Sequence, residues 1–211
     1  MKSWILQDTP GFLVVNKPAG VLSQKDKTGD DDLAALLQKS IGPFPFLAPI
    51  HRLDRNTSGI ILLAKNAESA RELSGWLKSG LIKRRYLALV KGDPGESGRY
   101  DFPLRKNEQT NEVFVHPTGE LAVTLFRREQ KLANSSLVKV ELETGRSHQI
   151  RAHFAHAGHS LLGDKKYAKK PWSEIFIRPA LHSAEIELPG LRLKASIPPD
   201  FKGLLVRLGG K

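Results

Sequence analysis

The chain has 211 residues, 40% of them apolar, enough for a real core in one large domain or two small ones and too many for wholesale disorder. Lys and Arg number 33 against 22 Asp and Glu, and the net charge of +11 points to a polyanionic partner, most simply nucleic acid. With no cysteine, disulfides, thiolate chemistry and Cys-type zinc sites are excluded, and a reducing cytoplasm suits the chain.

The first residues reach an acid, Asp8, before any long apolar run forms, so they do not read as a signal peptide. No later stretch has membrane-spanning length. Phe12-Leu13-Val14-Val15-Asn16 reads as a buried strand running into the turn Lys17-Pro18-Ala19-Gly20. Val21-Leu22-Ser23-Gln24 resumes an extended chain, and a polar loop from Lys25 to Asp32 follows. A helix comes next, with Asp30 or Asp31 near its N-cap and Leu33, Leu36, Leu37 and Ile41 on one face. Pro43, Pro45 and Pro49 end it.

His51-Arg52-Leu53-Asp54-Arg55-Asn56-Thr57-Ser58-Gly59 is polar and turn-prone, and Ile60-Ile61-Leu62-Leu63-Ala64 behind it is strand-like. Asp54 is the one acid of this loop and lies between Arg52 and Arg55, whose charge favours the carboxylate. At the mouth of a buried strand it is a candidate nucleophile or general base; a structural ion pair in a surface loop is the competing reading.

Asn66 is placed to cap a second helix carrying Ala70, Leu73 and Leu77 on one side, with Gly80 at its end. Leu81 to Lys91 reads as a strand with both faces largely covered. Its Tyr86, just after Lys83-Arg84-Arg85, is either a core tyrosine or a platform for a nucleobase. The middle third reads as all-β, with strands at Gly98–Phe102, Ala122–Glu129 and Ser136–Glu143. Ile150, Phe154 and Ala157 then recur at helical spacing up to Gly158. Arg151 on that helix is either solvated or a bidentate partner for a carboxylate. Leu161 to Asp164 leads into a basic loop with Lys165, Lys166, Lys169 and Lys170. Ala180–Leu188 and Leu193–Ile197 make a last strand pair, and Asp200 is placed to cap a closing helix. Strands in runs, not in strict alternation with helices, predict one α+β domain over residues 1–211, with a large mixed, mostly antiparallel sheet flanked by helices.

His148, His153, His156, His159 and His182 crowd the last third, but no HExxH pattern occurs, and hydrogen-bonding roles are preferred to a metal site. The chain also lacks a G-x-S-x-G elbow, a G-x-G-x-x-G fingerprint and a P-loop, so hydrolase and nucleotide-cofactor readings find no support.

His51-Arg52-Leu53-Asp54-x-x-Thr57-Ser58-Gly59 resembles the signature of the RluA family of RNA pseudouridine synthases. Val15-Asn16-Lys17-Pro18-Ala19-Gly20 resembles the family's N-terminal turn, and Arg85-Tyr86-Leu87-Ala88-Leu89-Val90-Lys91-Gly92 its tyrosine strand. Gly145-Arg146-Ser147-His148-Gln149-Ile150-Arg151, with His156-Ala157-Gly158-His159-x-Leu161-Leu162-Gly163-Asp164, resembles its arginine motif. The motifs keep the family's order. The resemblance implies the pseudouridine synthase fold and isomerisation of specific uridines in ribosomal or transfer RNA, with no metal, redox cofactor or ATP. It implies that Asp54 is the catalytic aspartate, that Tyr86 stacks on the target uracil and that Arg151 pairs with the catalytic carboxylate. It further implies that Arg52 fills the space left by a flipped-out uridine. Ser147 stands where threonine is usual and keeps the hydroxyl. The first motif starts at Val15, as in the short branch without an N-terminal S4 domain. Lys83, Arg84, Lys165 and Lys166 are the candidate phosphate contacts. A cytoplasmic monomer with no membrane partner is expected. The alternative from another class is a catalytically silent RNA-binding module on the same fold, which would have no use for Asp54, Tyr86 and Arg151 together.

Overall fold

Short apolar runs become strands and amphipathic runs become helices in the computed structural model, which describes residues 1–210. In chain order the elements are β1 (Ile5–Asp8), β2 (Phe12–Lys17), α1 (Leu33–Ile41), β3 (Ala48–Pro49), β4 (Ser58–Ala64), α2 (Ala67–Lys78), β5 (Lys83–Lys91) and β6 (Ser97–Tyr100). They continue with β7 (Leu104–Asn107), β8 (Glu112–Val115), β9 (Thr124–Lys131), β10 (Ser135–Leu142), α3 (Gln149–His156), β11 (Leu181–Leu188), β12 (Leu191–Lys194) and α4 (Pro199–Arg207). The strands hydrogen-bond in the order β1-β2-β4-β11-β5-β10-β9-β6, with β3 on β4 and β12 on β11, while β7 and β8 pair separately. This is the expected large sheet flanked by helices. The chain divides into two compact units, Met1–Arg84 with Ser183–Ser196, and Arg85–His182 with the segment from Ile197 onward.

In the first unit β2 and β4 run antiparallel from Phe12↔Ala64 to Lys17↔Gly59. Every residue of β4 is buried, as a strand covered on both faces requires. Val14, Ile60, Leu62, Leu73, Ile186 and Leu188 share one core cluster, so α2 packs its apolar side on the sheet. Asn66 caps α2 as expected, its Oδ1 accepting from Ser69 N at 2.8 Å. The cap of α1 is Asp32, not Asp30 or Asp31: its Oδ1 accepts from Ala35 N at 2.9 Å, and its Oδ2 accepts from Lys25 N at 3.0 Å. The two earlier acids are drawn to Arg55 and Lys39. β12 starts earlier than expected, because Gly190 at φ +76° lets a tight turn bring Leu191 opposite Leu188.

In the second unit β10 lies between β5 and β9, with Val138, Val140 and Leu142 buried. Lys139 and Glu141 alternate with them on the partly wet face. The β7–β8 ribbon was not expected from sequence. Leu104 is the one buried residue of β7, too few for an alternating signal. The cap of α4 is Pro198; Asp200 sits in the first turn instead, and its carboxylate accepts from Arg178 Nε at 2.7 Å and Nη2 at 3.1 Å. Among the described residues no helix is long and apolar enough to cross a membrane.

Candidate active site

The Asp54 loop is fastened by backbone contacts on both sides. Fully buried Lys17 donates its Nζ protons to the carbonyls of Pro18 (3.1 Å), Val21 (2.8 Å) and Arg55 (3.1 Å). Those acceptors offset the cost of burying an ammonium. Gly20 N donates to Arg55 O at 2.8 Å, and Arg55 Nε returns a bond to Gly20 O at 3.1 Å. On the other side Ser23 Oγ donates to Leu53 O (2.8 Å) and accepts from Leu53 N (3.0 Å). Asp54 O accepts from Thr57 N at 2.9 Å, which closes the turn. Asp54 itself is half-buried. Of its two arginine neighbours in sequence, Arg55 is paired with Asp30 at 2.7 Å, and Arg52 is exposed.

The ends of the motif are structural. His51 is buried, and its Nε2 accepts from Leu62 N at 3.2 Å, taking the place of a strand carbonyl. Burial, with a smaller effect from the Arg84 charge, pushes its pKa down to about 3, so the ring is neutral at physiological pH. With Nε2 accepting, the proton is assigned to Nδ1. Gly59 has φ +110°, and a Cβ there would meet Ser183 O at 2.1 Å. Only glycine lets β4 pass so close to that backbone.

Tyr86 lies on β5 in register with Val140 of β10 and is buried, 3% exposed. Arg85 beside it holds Glu141 through Nε at 2.7 Å. Arg84 is only 7% exposed, less open to a phosphate than Lys83. Lys83 is half-buried and Lys165 exposed. Lys166 is exposed too, but its Nζ donates to Thr110 O at 3.0 Å and Asn111 O at 2.9 Å, clasping the turn between β7 and β8.

Arg151 is presented by α3, whose start is tightly specified. His148 adopts the left-handed conformation at φ 51°, which histidine tolerates better than most residues. Gln149, buried, uses its full bonding capacity: Oε1 accepts from Thr144 Oγ1 (2.8 Å) and Arg146 N (3.0 Å), and Nε2 donates to Val123 O (2.9 Å) and Thr124 Oγ1 (3.0 Å). Two residues on, Arg151 donates from Nε to Asp164 Oδ2 at 2.7 Å and from Nη2 to Asp164 Oδ1 at 2.9 Å. This is the bidentate geometry that suits arginine. Asp164 is fully buried, and its Oδ1 also accepts from Lys166 N at 3.1 Å and Tyr167 N at 3.3 Å. The Tyr167 ring lies 5.1 Å from the guanidinium carbon. Sequence reasoning gave Asp164 and Tyr167 no role. The only available signal was that Asp164 closes the arginine motif.

Among the histidines of the last third, His153 and His159 serve as hydrogen-bonding groups. His153 meets Thr124 Oγ1 at 3.0 Å and Phe102 O at 2.9 Å, and His159 meets Lys91 O at 2.9 Å. The first unit thus holds a half-buried carboxylate on a fastened loop, and the second holds a buried tyrosine on β5 and an arginine fixed by a buried acid.

Known structures share this architecture. The chain superposes on Human RNA Pseudouridylate Synthase Domain Containing 4 with a TM-score of 0.80 at 23% identity, covering 99% of this chain and 94% of that one. Human RNA Pseudouridylate Synthase Domain Containing 1 gives 0.76 at 24% identity, covering 92% and 82%. At such identities the likeness defines the fold, that of a pseudouridine synthase domain.

The sequence carries the identification further. The family described as RNA pseudouridylate synthase matches residues 11–156. Ribosomal large subunit pseudouridine synthase D of Haemophilus ducreyi is 32% identical, over 97% of this chain and 70% of its own length. The protein of that name from Zymomonas mobilis is 36% identical over 83% of this chain, which spans 61% of its length. Ribosomal large subunit pseudouridine synthase C of Buchnera aphidicola is 34% identical over 78% of this chain and 54% of its own length. The chain belongs to the RNA pseudouridylate synthase family.

Proposed function

We propose that this chain isomerises specific uridines of ribosomal RNA to pseudouridine, as a cytoplasmic monomer and without metal, redox cofactor or ATP. Transfer RNA is the second substrate class to test. The observation that carries the reading is the Asp54 loop, fastened through Lys17 and Ser23 and lying within the family match at 11–156. The names of the relatives favour ribosomal RNA as substrate. Because the match draws on both compact units, residues 1–211 are treated as one catalytic domain.

The reaction breaks the bond from uracil N1 to the ribose carbon and joins C5 to that same carbon. The proton lost from C5 is balanced by one gained at N1. We assign the carboxylate chemistry to Asp54, stacking on the uracil ring to Tyr86, and a fixed positive charge to Arg151. Arg52, exposed, is assigned to hold the duplex open once the target base has left the stack. Lys83 and Lys165 are assigned to phosphates.

The test is modification itself. Purified protein is incubated with ribosomal and transfer RNA in the presence of a chelator, and pseudouridine is mapped along each. Mapping total RNA from cells with and without the gene then identifies the position. No pseudouridine formed on any RNA, with RNA still bound, would replace the enzyme reading with that of a silent binding module.

A further inference from the structure

Tyr167 is part-buried, close to Arg151, and unused by the chemistry assigned above. We propose that Tyr167 is a positioning residue: its ring braces the Arg151 guanidinium against tilting. The proposal rests on the reading of Arg151 as part of the catalytic machinery.

Asp164 holds one edge of the guanidinium through Nε and Nη2. An edge contact sets direction but leaves the plane able to tilt. The guanidinium carbon lies over the Tyr167 ring, 5.1 Å from its centroid, and the ring contributes a cation–π attraction that resists such tilting. Asp164 and Tyr167 stand on a single turn, so both contacts to the guanidinium come from one short segment.

The ring is held at its far end as well. Tyr167 Oη accepts from Val113 N at 2.8 Å, an amide of β8, and lies 2.9 Å from His148 Nδ1. Its own proton is thereby available to the imidazole of the residue that starts α3. Lys166, the preceding residue, grips the ribbon's turn through Thr110 O and Asn111 O. Val113 and Ala152 belong to one apolar cluster, against which Tyr167 packs. Ribbon, turn and helix are therefore joined around Arg151. Burial, the largest influence, pushes the phenol up to about 12, so the hydroxyl keeps its proton throughout the working range. That suits a positioning group and not an acid or base.

The test combines turnover with a direct view of the guanidinium. Tyr167→Leu removes the ring, and Tyr167→Phe keeps the ring while removing the hydroxyl. Each is made in wild type and in Arg151→Lys, and kcat and KM for pseudouridine formation are measured. The Arg151 Nε–H resonance is followed by NMR in the variants that keep the arginine. Tyr167→Leu is expected to lower kcat roughly tenfold or more with little change in KM, and to add nothing in the Arg151→Lys background. Its Nε–H signal should lose its ring-induced shift. Tyr167→Phe should stay within about threefold of wild type and keep the shift. Equal losses from Tyr167→Leu in both backgrounds would overturn the proposal, as would an unmoved Nε–H signal. If Tyr167→Leu does not fold, Tyr167→Phe decides: loss of the shift with the ring retained overturns the proposal. Wild-type turnover by Arg151→Lys would instead overturn the catalytic reading of Arg151, and the NMR signal would still settle the part played by Tyr167.

Discussion

Asp54 sits between two anchored neighbours, Leu53 on Ser23 and the Arg55 carbonyl on Lys17. Asp54→Asn keeps the side chain's shape and should leave those anchors in place. Turnover should fall to background while the fold survives. RNA affinity at fixed salt should change little, because phosphate contacts supply most of it. Near-wild-type turnover by a verified, folded Asp54→Asn protein would reduce the loop to structure. Arg52→Ala should slow modification of folded RNA more than of an unstructured one, since extruding a base costs a few kcal/mol only where it is stacked. Equal losses on both would argue for a direct part in bond chemistry. His51 makes a prediction about pH. Its folded pKa, about 3, lies below the ordinary 6.5, so between those values the unfolded chain binds the extra proton. Stability from this group is complete above pH 6.5 and is lost on acidification, by about 1.4 kcal/mol per pH unit at most inside the window. Urea unfolding at pH 7, 5 and 4 should show the loss, and His51→Gln should flatten it; an unchanged pH slope in that variant would exclude His51 as its source.

At the scale of elements, the matched N-terminal turn after β2 and the Asp54 loop before β4 hold each other. Lys17→Met fills the space but leaves the carbonyls of Pro18, Val21 and Arg55 without their shared donor. The expected cost is about 3 kcal/mol or more in denaturant unfolding, and turnover should fall further than the remaining folded fraction explains. A stable, fully active Lys17→Met protein would show that the loop keeps its shape without the clamp. The family-like glycine of the loop has a similar explanation: a Cβ at Gly59 would meet backbone of Ser183 in β11, and backbone cannot swing aside.

For the whole molecule, the relevant quantity is the charge of +11 and how much of it can reach a phosphate. Each true phosphate contact removed should flatten the dependence of log affinity on log salt by about one unit. Lys83→Ala and Lys165→Ala are expected to do so. Lys166→Ala should change the slope less, because its ammonium is engaged by the ribbon turn. Arg84→Ala should leave the slope alone and lower stability instead, because the residue is 7% exposed. Affinity for one RNA across a salt series separates these outcomes. Unchanged slopes for both Lys83→Ala and Lys165→Ala would move the RNA surface elsewhere.

What the sequence determined by itself is what local chemistry encodes. Unbroken burial of β4, the alternation in β10 and the cap at Asn66 all act between residues a few positions apart, and so they were legible. The family was legible as well, through ordered motifs centred on Asp54. The tertiary structure decided which charges are spent and on whom. Lys17 and Arg55 are 38 positions apart, Arg178 and Asp200 are 22 apart, and Arg151 and Asp164 are 13 apart, separations that no periodicity announces. Arg84 reads as surface because charged side chains are seldom buried, and only the packing of its strand turns it inward. The β7–β8 ribbon escaped for the opposite reason: it buries so little of itself that its identity as a strand pair depends on what the rest of the unit places against it.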